Sequence, residues 1–302
     1  MENFGTENNN TLAPICLFVY CRLIETKMTV ESLKKNILAS KSQLFVFSDG
    51  AKTHNIEEVR AVREYIHSIT GFAKVTVYES AVNKGLANSI IKGVTKMFDN
   101  YDKAIVLEDD LLLSTNFLCF MNQALTFYED KKRILSISGY SLLIKYPNGY
   151  EYDVALSLRA SSWGWATWKD RWVHIDWEVK TYKSFKYNIL KRLKFNRGGS
   201  DMSHMLDKQM SGKINSWAIR FCYHQYENNM LDVFPIMSKV ANVGFGYAAT
   251  NTKKGIFRFR TPLDTSNKVF FNLQKEIKVS LPILMQFKAY HSIIMRALSK
   301  IV

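Results

Sequence analysis

Ala104-Ile105-Val106-Leu107-Glu108-Asp109-Asp110 is a short apolar run that ends in three consecutive carboxylates. Its length, its β-branched residues and its nearly unbroken apolar pattern predict a strand covered on both faces rather than a helix. Such a strand delivers its acids to its C-terminal tip, the edge of an open α/β sheet where ligands settle. Three carboxylates at one tip repel one another and call for a cation or strong donors to neutralise them. Attraction of acid to a helix N-terminus is the competing explanation. The next helix is expected to start near Ser114 or Thr115, which leaves Asp109 and Asp110 poorly explained by it.

Working outward, short apolar runs alternate with helical periods from Pro14 to about Gly139. Strands are predicted at Ile15 to Tyr20, Leu44 to Ser48, Lys74 to Tyr78, Lys103 to Leu107 and Ile134 to Ile137. Four helices are predicted between them, marked by Val30, Leu33 and Ile37, by Ile56, Val59, Val62, Ile66 and Ile69, by Leu86, Ile90, Val94 and Met97, and by Phe117, Met121 and Leu125. Strict alternation of this kind predicts an α/β fold, a mostly parallel sheet with right-handed crossovers and helices on both faces. The chain divides into a polar, Asn-rich start (1–11), a first α/β half (12–140), an aromatic-rich second half (141–255) and a C-terminal extension (256–302). The loop-rich second half is where substrate specificity is expected.

The chain has 302 residues and a formal net charge of +14, so an anionic partner is expected: a nucleotide, a lipid headgroup or nucleic acid. Its four cysteines, at 16, 21, 119 and 222, form no CxxC pair and fit a reduced compartment better than a disulfide framework or zinc site. The N-terminus lacks the pattern of a signal peptide, and no apolar stretch reaches the roughly 18 residues a bilayer span needs. A cytoplasmic protein is expected, with peripheral contact with the inner face of the plasma membrane left open.

Other predicted strand tips also carry polar groups. Cys21-Arg22 follows the first strand and Ser48-Asp49-Gly50 the second, where Asp49 is placed to accept from a ribose hydroxyl or a base imide. Asp-Gly after a strand is also an ordinary turn. Asn83-Lys84-Gly85 then opens a helix whose amides would face phosphate or base. In Ser161 to Trp172, Trp165, Trp168 and Trp172 fall at i, i+3 and i+7, predicting one core-facing side of a helix. Trp163 and Gly164 precede it, an aromatic and a glycine on which a sugar ring would stack. Lys180 to Arg197 holds seven cations and no acid, which reads either as a solvated helix face or as contact with an anionic membrane or lipid-linked acceptor. Leu281 to Val302 is a basic amphipathic segment that would lie in a membrane interface or dock on the protein's own core.

Phe18-Val19-Tyr20-Cys21-Arg22, Phe47-Ser48-Asp49-Gly50, Asn83-Lys84-Gly85, Glu108-Asp109-Asp110, Ser162-Trp163-Gly164-Trp165-Ala166 and Ser216-Trp217-Ala218-Ile219-Arg220, in that order, resemble bacterial GT-A glycosyltransferases. These are similar in turn to the Golgi N-acetylglucosaminyltransferase I family, with a likeness to family 2 sugar transferases. The resemblance covers about residues 12 to 250 and implies a nucleotide-sugar donor, most simply a UDP-sugar, with a saccharide or lipid-linked saccharide as acceptor. It implies donor contacts from Arg22, Asp49, Asn83, Gly85, Glu108 and Asp109, with Glu108-Asp109-Asp110 as the variant of the family's Asp-x-Asp motif. Asp110, the last acid, would ligate Mn²⁺ or Mg²⁺ bridging the diphosphate. Trp163, Gly164, Trp217 and Arg220 would face the acceptor.

An inverting transfer needs a base for the acceptor hydroxyl. The Golgi relatives carry an Asp just before the tryptophan that matches Trp217, where this chain has Ser216, a poor base without an activating partner. Asp201 is the replacement carboxylate, and capping of the following helix is its competing role. Sugar transfer in cell-surface polysaccharide synthesis is the function the resemblance implies. A sugar-phosphate nucleotidyltransferase is the rival enzyme, though the glycine-rich basic loop for a triphosphate is missing after the first strand. A non-catalytic carbohydrate-binding relative is the non-enzymatic rival, kept open by Ser216. Gly244 to Ala249 matches a dinucleotide fingerprint loosely but lacks the supporting strand and helix, so a donor-side loop or turn is expected there.

Overall fold

The computed structural model describes residues 12–244, 259–292 and 295. Among the described residues the strands are β1 (Ile15–Val19), β2 (Gln43–Ser48), β3 (Lys74–Glu79), β4 (Lys103–Glu108), β5 (Leu111–Leu113), β6 (Ile134–Ser138), β7 (Val154–Ser157), β8 (Trp165–Trp168), β9 (Leu231–Pro235) and β10 (Val240–Asn242). The helices are α1 (Leu23–Lys34), α2 (Ile56–His67), α3 (Leu86–Met97), α4 (Phe117–Phe127), α5 (Lys169–Trp172), α6 (Tyr182–Lys186), α7 (Ile189–Phe195), α8 (Met202–Met210), α9 (Trp217–Glu227) and α10 (Leu281–Tyr290).

Eight strands form one sheet in the order β3-β2-β1-β4-β8-β6-β9-β7, in which only β8 and β7 run against the other six. The expected mostly parallel α/β sheet is thus present. The two halves read from the sequence, 12–140 and 141–255, both contribute strands to it. Side chains alternate between two cores. Ile15, Leu17, Ile105 and Leu107 face one layer with Val30 and Leu33 of α1, Val62 and Ile66 of α2 and Phe117 and Met121 of α4. Cys16, Phe18, Ala104 and Val106 face the other with Ile90 and Val94 of α3 and Phe221 of α9. Cover on both faces is why these strands read as unbroken apolar runs.

The helix predicted over Trp165 to Trp172 is instead strand β8 followed by the short α5. β8 is wedged antiparallel between β4 and β6, so the period of two sends Trp165 and Trp168 into opposite cores. Pairing on both edges overrides the helical spacing of the tryptophans. Trp168 Nε1 donates to Leu125 O at 3.2 Å and Trp172 Nε1 to Thr95 Oγ1 at 2.9 Å, so both indoles are fixed.

α10, the described part of the predicted tail, docks on the protein's own core. Ile283 and Phe287 are buried with Tyr140 and Phe234, and the Phe287 and Phe234 rings lie 5.0 Å apart. Residues 293–294 and 296–302 lie outside the described residues. No described helix is long and apolar enough to cross a membrane. All four thiols are free.

Candidate functional site

β1 and β4 are in register with Phe18 opposite Glu108, and β1 and β2 with Val19 opposite Ser48. Three chain segments therefore leave the sheet side by side at one edge: Tyr20 to Arg22, Asp49-Gly50 and Asp109-Asp110. Arg22 Nη2 donates to Asp109 Oδ1 and, at 3.1 Å, to Asp110 Oδ2, while the Tyr20 amide donates to Asp109 Oδ2 at 3.2 Å. Burial pushes the Asp109 carboxyl up to about 6 against the pull of Arg22. Burial, and then the charges of Asp110 and Asp109, hold Glu108 well above the usual carboxylate range. Burial works against the Arg22 charge, but the two aspartates outweigh it and raise the pKa.

Asp110 is 9% exposed, and its Oδ1 is buried without a hydrogen-bond partner among the described residues. A buried carboxylate oxygen in that state needs a donor or a cation. A hard oxygen ligand suits Mn²⁺ or Mg²⁺, so Asp110 fits the metal that the sequence resemblance implies. No group of three or more His, Cys, Asp or Glu side chains is arranged to hold a metal among the described residues. Asp110 would then share the ion with phosphate oxygens and water rather than with a protein cage.

The short ribbon of β5 and β10 brings a distant segment over this acid: Asn242 pairs with Leu111, and the Val243 amide donates to Asp110 O at 2.8 Å. Gly244 follows, so close that a Cβ there would meet Asp110 Oδ2 at 2.1 Å and Arg22 Nη1 at 2.9 Å. Residues 245–249 of the expected donor-side loop or turn lie outside the described residues. Gly244 is expected from the sequence in a donor-side loop or turn, but nothing local to it points at Asp110.

Asp49 acts as a latch. Its Oδ1 accepts from the amides of Gly50 and Lys84, both at 2.9 Å, and its Oδ2 from the Gly85 amide at 2.8 Å. Asn83 Nδ2 donates to Gly50 O at 2.8 Å, and Gly85, with φ of 74°, starts α3. Gly50 is required by contact: a Cβ there would lie 2.2 Å from the Val82 carbonyl carbon. Arg63 on α2, which carries no sequence signal, donates to Ser48 Oγ at 3.2 Å and to Ser80 O at 2.8 Å, so it ties the β2 and β3 tips together.

On the second half, Gly164 has φ of 59° and its carbonyl accepts from the Gly139 amide at 2.6 Å. A Cβ at 164 would lie 2.8 Å from Val240 and 3.4 Å from Leu107, so Gly164 sits directly behind the acid-bearing strand. Trp163, half-buried beside it, packs edge-on against Tyr140 at 4.5 Å. Trp217 is buried and stacks on Trp165 at 4.7 Å. Arg220 spends its donors on Ser216 O (3.1 Å), Trp177 O (3.2 Å) and Asn215 Oδ1 (3.3 Å).

Ser216 is the N-cap of α9: its Oγ accepts from the Ile219 amide at 3.4 Å, and its own amide donates to Gln209 Oε1 at 2.6 Å. Asp201 precedes α8 but does not cap it; Arg159 Nη1 donates to its Oδ1 at 2.6 Å. α8 runs from Asp201 toward Gln209 at Ser216, which puts Asp201 about 12 Å along the helix from that contact.

No protein-family model matches the sequence, and no curated protein matches it. Among solved structures, the mannosyltransferase PcManGT from Pyrobaculum calidifontis, in complex with GDP-Man and Mn²⁺, is 12% identical over 56% of this chain with a TM-score of 0.35. This chain spans about half of that protein's length, 48%. A galactosyltransferase, LgtC, in complex with donor and acceptor sugar analogues, is 13% identical over 84% of both chains, with a TM-score of 0.37. A UDP-glucose pyrophosphorylase complexed with UDP-glucose is 12% identical over 74% of this chain and 90% of its own, with a TM-score of 0.35.

Proposed function

We propose that this protein is a metal-dependent GT-A-type glycosyltransferase that moves a hexosyl or N-acetylhexosaminyl group from a nucleotide sugar, in the first instance a UDP-sugar, to a saccharide or lipid-linked saccharide. The observation that carries the reading is the buried, unpartnered Oδ1 of Asp110 at the tip of the central strand, beside a guanidinium fixed by two aspartates. In this reading Asp110 would hold Mn²⁺ or Mg²⁺ beside the donor diphosphate, where the ion would supply positive charge to offset that on the departing nucleotide. Arg22 keeps its positive charge at the same tip because the charges of Asp109 and Asp110 outweigh the cost of burying it, and its hydrogen bonds to them fix its position. The nucleoside lies across the tips of β1 and β2, against the loop that Asp49 pins to Asn83, Lys84 and Gly85. The acceptor approaches from Trp163 and Gly164.

The reaction is a displacement. The acceptor oxygen bonds to the anomeric carbon, the bond from that carbon to the diphosphate oxygen breaks, and the diphosphate leaves with the electron pair. With one displacement the anomeric configuration inverts, and the hydroxyl proton passes to a base. Synthesis of a cell-surface polysaccharide is the process in which we place this step.

Calorimetric titration with a panel of nucleotide sugars and with nucleoside triphosphates, with and without Mn²⁺, tests the reading. The expected result is saturable, Mn²⁺-dependent binding of one nucleotide sugar that Asp110→Ala abolishes. Preference for a triphosphate would establish the nucleotidyltransferase instead, and indifference to all nucleotides the carbohydrate-binding alternative.

A further inference from the structure

The basic run from Lys180 to Arg197 forms α6, α7 and the turn after them, and the sugar-transfer reading leaves it unused. α7 is inverted relative to an ordinary surface helix. Phe195 is buried against Phe185 and Tyr223, yet Ile189, Leu190 and Leu193 are 73%, 70% and 62% exposed, and Tyr187 just before it is 81% exposed. Grouped exposed apolar side chains of this size mark an interaction surface. Leu190, Leu193, Lys194 and Arg197 recur at i, i+3, i+4 and i+7, so the apolar ridge continues into cations along one side.

Lys194 and Arg197 also line a cavity of about 320 Å³, together with Arg133, Leu158, Tyr226 and Val279. Arg133 stands just before β6, and Leu231 at the same cavity begins β9, so the cavity opens at the edge where the parallel strands start, opposite the carboxylate cluster. Among the described residues no acid lines it, and Arg133, Lys194 and Arg197 make no side-chain hydrogen bond or ion pair with one of them. Arg192, in contrast, is already spent on Asp207 at 2.7 Å. Three unpaired cations above an apolar floor suit a phosphate carried on an apolar body.

We infer that this face seats on an anionic lipid bilayer, with Tyr187, Ile189, Leu190 and Leu193 entering the headgroup boundary and the cavity of Arg133, Lys194 and Arg197 taking a lipid phosphate. Charge selects this occupant. A second copy of a chain with net charge +14 meets the face with like charge, and so does the chain's own end, which carries Lys288, Arg296 and Lys300. A nucleic acid satisfies the cations but offers nothing to the exposed leucines. An anionic bilayer satisfies both.

The inference is independent of the sugar-transfer reading and is tested without a turnover assay. The full chain is sedimented with phosphatidylglycerol–phosphatidylcholine vesicles and with pure phosphatidylcholine vesicles, as wild type, as Arg133→Gln/Lys194→Gln/Arg197→Gln and as Leu190→Ser/Leu193→Ser. Wild type is expected to bind only the anionic vesicles. The charge variant is expected to bind about 100-fold more weakly, from about 1 kcal/mol per basic residue. The leucine variant is expected to lose binding with its charges intact, and all three proteins are expected to share one melting temperature. Absence of wild-type binding, equal binding to neutral vesicles, or undiminished binding by both variants overturns the inference. So does a wild-type dimer in sedimentation that Leu190→Ser/Leu193→Ser dissolves, which would assign the face to self-association.

Discussion

A Cβ on residue 244 would lie 2.1 Å from Asp110 Oδ2, so the glycine there sets how closely the chain covers a buried carboxylate whose other oxygen has no hydrogen-bond partner among the described residues. Gly244→Ala forces either that segment or Asp110 to move. Overpacking of this kind costs about 1–3 kcal/mol, and each 1.4 kcal/mol taken from the site is about tenfold in affinity. Gly244→Ala is therefore expected to weaken Mn²⁺-dependent donor binding about tenfold with a smaller change in melting temperature. Titration calorimetry and a thermal melt on the same preparation check this; unchanged affinity would separate the glycine from the site.

Arg22 stands between two buried aspartates, and its removal leaves their charges without the partner that holds them. Loss of one member of a buried pair costs about 3–5 kcal/mol, and the 16% exposure of the Arg22 side chain puts the expected loss toward the lower end. Arg22→Gln is expected to lower stability in urea by about 3 kcal/mol. Adding Asp109→Asn, which removes the stranded charge, is expected to recover part of that loss. Additive effects of the two substitutions would show that the pair is not coupled.

In the sequence Asp201 reads as the replacement base or as a helix cap, and nothing there points to its partner. It is 2% exposed and bound by Arg159, far from it in sequence. Asp201→Asn is expected to cost about 3 kcal/mol of stability by stranding Arg159, with turnover per folded molecule changed less than threefold. A fall in turnover of about 100-fold at unchanged donor affinity would instead give Asp201 the role of base.

What the sequence revealed and what it concealed divide along one physical line. β1, β2, β4 and β6, and α1 to α4, were readable because each buries a local pattern, on both faces for the strands and one-sided for the helices, and β3, a half-exposed edge strand, from its place in the alternation. Even there Ile37 and Ile69 fall past the helix ends, and Ile37 is 55% exposed. β8 was misread because its pairing with β4 and β6 is set by residues distant in sequence, while its tryptophans happen to share a helical spacing. The strand-tip acids were visible as a cluster. Arg22 as their clamp, Arg63 as the tie between two strand tips and Gly244 as the cover over Asp110 are products of tertiary approach, which no local pattern encodes.

Asp232 gives the fold a pH dependence that one substitution isolates. It lies within β9, 1% exposed, with Ser136 Oγ donating to its Oδ1 at 2.6 Å. Burial pushes its carboxyl well above the usual range, against the smaller opposing effect of the Ser136 hydrogen bond. Between the ordinary carboxylate pKa near 4 and this raised value, the folded chain holds a proton that the unfolded chain has released. Stability from this group is therefore fully present at low pH and falls as pH rises through that window, by up to about 1.4 kcal/mol per pH unit. Asp232→Asn keeps the shape and the acceptor for Ser136 but carries no charge to bury. It is expected to melt higher than wild type at pH 7, with the difference shrinking toward pH 4. Melting curves of the two proteins across that range check it, and parallel profiles would mean that Asp232 does not titrate differently on folding.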